Sequence, residues 1–210
     1  MNPVLRVGLV IVLVGLAIAV GVKYWPDHAD PRSSDMHQRL LAVDELVGSN
    51  GQEALDTLSE LTSDAEQRVC IAAIRALGSR TDEASRLKLK QIASKSASGV
   101  LRGIAAAELG NFKKTDCHFL TDILLKDKAP EARAGAAVGL KRLRDPHALS
   151  SLVKALSDPD VDTRRSAYGA IWTTTGRFFK FDPAASPESR AQCIAWLKKE
   201  LARVKSPHDH

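Results

Sequence analysis

Aromatic side chains are scarce here, only 5% of 210 residues. β-Sandwiches usually carry more aromatic and β-branched residues, so the low fraction argues against one. Cysteine is also rare: Cys70, Cys117 and Cys193 lie far apart in sequence. Their spacing fits neither a zinc site nor a CxxC redox pair, and an odd number rules out a fully paired disulfide framework. They read as small buried hydrophobes. No strong charge excess is present either. A net charge of +5 permits an acidic partner without requiring one. The hydrophobic fraction, 44%, suffices for one domain with a real core.

What the chain does have is a register. Cys70, Arg102, Arg133 and Arg164 align at a spacing of about thirty-one residues. Three positions later each segment has alanine: Ala73, Ala105, Ala136 and Ala167. Seven positions later each has a branched aliphatic: Leu77, Leu109, Leu140 and Ile171. Six positions earlier stands a residue suited to a turn or cap: Asp64, Ser96, Asp127 and Asp158. A period in this range marks stacked helical hairpins, none of which buries its apolar face alone. The alanine lets a neighbouring helix come close. The aliphatic, four residues on and hence on the same face, fills the seam.

The N-terminus reads differently. Residues 7–22 form an apolar run bracketed by Arg6 and Lys23 and followed by Tyr24 and Trp25. Interfacial aromatics flank membrane spans in this way. At about 1.5 Å per residue the run is slightly short for a bilayer core of about 30 Å, and Val4, Leu5 and snorkelling cations extend it. Residues 1–25 are therefore expected to be an uncleaved single-pass signal-anchor, with the domain on the non-cytoplasmic side. The rival is a secretory signal cleaved near Ala17-Ile18-Ala19. Residues 26–35, polar with two prolines, read as a linker.

Helical spacing then predicts an N-terminal cap helix within 36–50, stopped by Gly48. Four hairpins occupy 51–176, with helices expected over 53–61 and 65–77, 83–93 and 99–109, 116–125 and 130–143, and 147–156 and 160–174. Pro130 suits a first helical turn, and Asp158-Pro159 a tight turn. Residues 177–205 form an aromatic loop and C-terminal cap helix, starting at Ser186-Pro187-Glu188. Residues 206–210 read as a frayed tail. The fold class is all-α: an α-solenoid of about four hairpins with terminal cap helices, plus one transmembrane helix.

The segments VCIAAIRALG from Val69, LRGIAAAELG from Leu101 and ARAGAAVGLKRL from Ala132 resemble HEAT repeats of the short, phycocyanobilin-lyase-like kind. The arginine after an apolar residue, common in that family, is matched by Arg102 and Arg133. Cys70 replaces it, and Arg164 follows Thr163 instead. The resemblance covers roughly residues 50–176 and is specific for fold rather than activity. In that family the second helices usually line the concave side. This implies Arg75, Arg102, Glu108, Arg133, Lys141 and Arg164 as candidate partner-binding residues.

The chemistry is sparse. HEAT-like deoxyhypusine hydroxylases hold two irons with His-Glu pairs; here no histidine is followed by glutamate. His118 and His147 without a carboxylate make a poor metal site. Cys117-His118 is the only nucleophile–base neighbour, but adjacent helical residues point about a hundred degrees apart. The cations around Arg86, Lys88 and Lys90 follow Asp82 and Glu83, which reads as a solvated face and makes nucleic acid an unfavoured partner. The expectation is a membrane-tethered scaffold for a protein partner, neither an enzyme nor cofactor-dependent. The alternative is a HEAT-like enzyme or chromophore-handling protein with a pocket near Phe178, Phe179, Phe181 and Trp196.

Overall fold

The structure, a computed structural model, describes residues 29–49, 51–80, 82–113 and 117–205. The expected anchor lies outside these residues, as do the start of the linker and the tail. Among the described residues there are ten α-helices, one 3₁₀ turn and no strand.

Helix α1 is Met36–Leu46. Four hairpins follow. The first pairs α2 (Gln52–Leu61) with α3 (Gln67–Ser79), the second α4 (Glu83–Lys95) with α5 (Gly99–Leu109). The third pairs α6 (Cys117–Lys126) with α7 (Pro130–Leu143). In the fourth, a 3₁₀ turn at Pro146–Ala148 leads into the short α8 (Leu149–Ala155), which pairs with α9 (Val161–Thr175). Helix α10 (Pro187–Lys205) closes the chain.

Side-chain caps explain several starts. Asp35, Asp82, Ser98 and Asp160 each accept a backbone N–H from the first turn that follows. The continuous helix expected from His147 is broken into a 3₁₀ turn and a shorter α-helix. Pro146 begins the segment, and Asp145 caps it by accepting from the His147 N–H.

Second helices pack against second helices along the whole stack: α1 on α3, α3 on α5, α5 on α7 and α7 on α9. The register alanines and their aliphatic partners are all buried in this seam. Ala105 and Ala136 are fully buried, as close stacking requires. Helix α1 belongs to the same file. Arg39, Ala42 and Leu46 stand one period before Cys70, Ala73 and Leu77, and Ala42 is fully buried. The segment expected as a separate cap is thus a fifth second-type helix.

The α5–α7 crossing is closest. A Cβ on Gly103 would collide with the Glu131 carbonyl, and one on Gly135 with the Gly103 backbone. Gly110 and Gly139 meet backbone in the same way. These glycines are a contact requirement, since glycine inside a helix otherwise costs about 1 kcal/mol relative to alanine.

At the end of α7, Arg144 adopts φ 54° and ψ 32°, left-handed backbone that a side chain disfavours. Arg144→Gly is expected to stabilise the domain by roughly 1 kcal/mol. A thermal melt reads this directly as a higher midpoint.

Candidate functional site

The edge of the stack formed by the hairpin turns is held by a repeated arginine clasp. From the second helix, each arginine reaches back to its own hairpin turn and forward to the aspartate of the next. Arg102 donates from Nη1 to the carbonyls of Ser96 and Ala97, at 2.8 and 3.2 Å. Its Nε and Nη2 grip Asp127 at 2.8 and 2.7 Å. Arg133 donates to the carbonyls of Asp127 and Lys128 and grips Asp158, both bonds 2.8 Å. Arg39 does the same with Ser33, Ser34 and Asp64. Arg164 holds the Asp158 and Pro159 carbonyls and, having no further hairpin, donates to the Pro183 carbonyl of the closing loop. Each receiving aspartate also accepts the N–H two residues on, at Glu66, Ala129 or Asp160, which fixes the turn.

The first hairpin breaks the pattern. Cys70 holds the arginine position, and its thiol donates to the Asp64 carbonyl of its own turn at 3.1 Å. It is too short to cross to the next turn, and there Ser96 stands where the others have aspartate. The α3–α5 joint therefore lacks the clasp. It keeps a bond from the Asn111 amide to the Gly78 carbonyl, 3.0 Å.

This geometry sorts the six candidate residues. The guanidinium groups of Arg102, Arg133 and Arg164 are engaged within the chain. Glu108 is nearly covered and bonds Arg142 and Asn111. Arg75 and Lys141 are exposed, with no ion-pair partner among the described residues. The six do not converge on one spot; they are spread along a ribbon of second helices. Arg75 borders a shallow groove of about 270 Å³ between α1 and α3, floored by Leu40, Val43, Ala72 and Ala76. Of the aromatic segment named for the alternative pocket, Phe178 is exposed, as is neighbouring Trp172, with ring centroids 6.1 Å apart.

The clasps impose a pH dependence. Its hydrogen bonds from Arg102 hold the Asp127 carboxyl below its ordinary range, with burial opposing. At Asp64 burial raises the pKa, but bonds from Arg39 and the Glu66 N–H outweigh it and the net shift is downward. A carboxyl depressed in the folded state contributes stability above its unfolded pKa of about 3.9, and loses it as pH falls through the lower folded value. Stability is thus expected to fall below about pH 4. Asp127→Asn should lower stability at neutral pH and flatten the acid limb in denaturant titrations at stepped pH.

The other singled-out chemistry is structural. Asp145 accepts from the His147 N–H and sits 2.8 Å from His147 Nδ1. Those bonds, with a smaller one from the Cys117 thiol, hold its carboxyl low. Burial pushes the Cys70 and Cys193 thiols up, away from nucleophilic character. In the aromatic tail, Phe179 and Phe181 are buried against Tyr168, whose hydroxyl donates to the Phe179 carbonyl at 2.8 Å. Trp196 lies against Phe179 but is half exposed, so Phe179 and Phe181 are the rings that fill the end of the stack.

Stacked hairpins with aligned second helices define a helical-repeat α-solenoid. The sequence pattern of the family described as HEAT repeats matches residues 32–110 and 117–172. The chain belongs to that family. The match begins just before α1, which agrees with its place in the register. No curated protein matches the chain.

Proposed function

We propose that this HEAT-repeat protein is a membrane-tethered scaffold, without catalysis or cofactor, that binds a protein partner through its ribbon of second helices. The supporting observation is the clasp ladder. It fixes α1 to α3 and α5 to α7 and α9, and leaves Arg75 and Lys141 free on the ribbon. A pre-positioned surface lowers the ordering cost of docking. The repeat spacing of about thirty-one residues supports the short, phycocyanobilin-lyase-like subgroup.

Tethering rests on residues 7–22 and their flanks in the sequence. Among the described residues no helix is long and apolar enough to cross a membrane. The reading places the domain on the non-cytoplasmic side.

Photo-crosslinking side chains at positions 75 and 141 of the full chain, activated in intact cells, test the scaffold. One recurrent protein at either position, identified by mass spectrometry, is the expected result. Adducts drawn at random from abundant proteins would reject it. Membrane fractions washed with carbonate should retain the chain. External protease should trim its domain in cells whose outer barrier has been opened.

A further inference from the structure

We propose that the C-terminal end of the ribbon is a docking site for an acidic peptide segment carrying one large apolar anchor. The inference deepens the scaffold reading and rests on it.

Two aromatic rings stand in solvent side by side. Trp172 is 50% exposed and Phe178 73%. They meet edge to face, 6.1 Å between centroids at 85°. Neither is left loose. Gly176, at φ 66°, ends α9 with its N–H on the Trp172 carbonyl at 2.8 Å. Thr175 Oγ1 accepts the Arg177 N–H at 3.2 Å. The next ring, Phe179, is buried against Tyr168 and pins the strand of chain that presents Phe178. The pair is thus held in advance of any ligand, and rigid aromatics of this kind dominate binding energies at interfaces.

The exposed charge around the pair is mostly positive, with Asp182 the one acid of residues 177–186. Lys141 reaches across from α7, and a Cβ at Gly169 would lie 3.9 Å from its Nζ. Gly169 is three residues before Trp172 on α9, hence on the same face. Arg177 and Lys180 flank Phe178 in the loop and are exposed. None of these three cations has an ion-pair partner among the described residues. Glu108, on α5, pairs with Arg142, and Asp162, in the first turn of α9, with Arg165. Asp182 is exposed. An apolar side chain between the rings, with carboxylates toward Lys141 and Arg177, matches this arrangement. Three cations around an apolar pair suit a peptide better than nucleic acid, whose affinity comes chiefly from phosphate contacts.

The test is to pan a displayed library of random peptides, about twelve residues long, on the full chain and titrate the enriched peptides by fluorescence anisotropy. Enriched peptides should be net acidic with one Trp, Phe, Leu or Ile. Trp172→Ala and, independently, the highly exposed Phe178→Ala should each raise Kd about tenfold or more while keeping the melting curve. The Lys141→Glu/Arg177→Glu double variant should lose acidic peptides. No enrichment, neutral or basic winners, or full affinity in both aromatic variants would overturn the proposal. So would binding of a dT20 oligonucleotide that the same variants abolish. A partner crosslinked from position 75 but never from position 172 leaves the scaffold standing and removes this site.

Discussion

Gly135→Val lowers the melting midpoint by roughly 10 °C, the expected effect of about 3 kcal/mol or more in a domain of this size. The sign is what makes the experiment decisive. By intrinsic propensity, replacing a helical glycine with alanine should stabilise by about 1 kcal/mol. Here even Gly135→Ala should destabilise, by about 1–3 kcal/mol, because its methyl would enter the Gly103 backbone across the α5–α7 crossing. Backbone cannot rotate aside as a flexible side chain can. The two helices must separate, and buried Ala105, Ala106, Ala136 and Ala137 would lose contact with their neighbours. Gly169 is the control. A Cβ there meets nothing closer than Lys141 at 3.9 Å, so Gly169→Ala should gain most of the propensity term. Melts followed by circular dichroism at 222 nm compare the variants. Stabilisation by Gly135→Ala would mean that the helices do not approach as described.

Arg133→Ala should destabilise by about 2–3 kcal/mol. That is below the 3–5 kcal/mol typical when one partner of a buried ion pair is removed, since this pair keeps slight solvent contact. Its side chains are 12% and 9% exposed. The substitution leaves Asp158 without its bidentate partner and frees two turn carbonyls at once. A double-mutant cycle with Asp158→Asn should give a coupling of about 1–2 kcal/mol, because the two residues share the same bonds. Denaturant midpoints with unchanged slope provide the measurement. Additive losses would show that the pair contributes nothing as a pair. The reciprocal experiment is Cys70→Arg with Ser96→Asp, which supplies the joint that lacks a clasp with both partners. The double variant should be more stable than either single one.

The fold was largely legible because its strongest constraint is periodic. Close packing demands a small residue at one position and an aliphatic one turn on, and Ala73, Ala105, Ala136 and Ala167 reveal both the period and the second helices. Arg39, Ala42 and Leu46 extend that period to α1. The signal was there in the spacing, but the polar, proline-bearing residues 26–35 that precede it carry no helical pattern, so the segment reads like a cap. Arg102 and Arg133 were legible as family features and the aspartates as turn residues. Their partnership was not, because it depends on one turn lying beside the next in space. The glycine seam was hidden for another reason. A helical glycine reads locally as a weakness or a stop, and only the approach of a second backbone explains Gly135 and Gly139. The aromatic segment was legible as a group, but which of its rings face solvent was not, because exposure cannot be read from residue type: Phe178 is exposed and Phe179, one position on, is buried.

The substitution of Cys70 and Ser96 for an arginine and an aspartate gives the stack a pivot. From Arg102 onward each storey is riveted to the next, through Asp127 and Asp158 to the closing loop at Pro183. Arg39 and Asp64 rivet α1 to the first hairpin. Among the described residues the α3–α5 seam is thus the one joint of the stack held by packing and the Asn111 bond alone, and any bend of the stack would concentrate there.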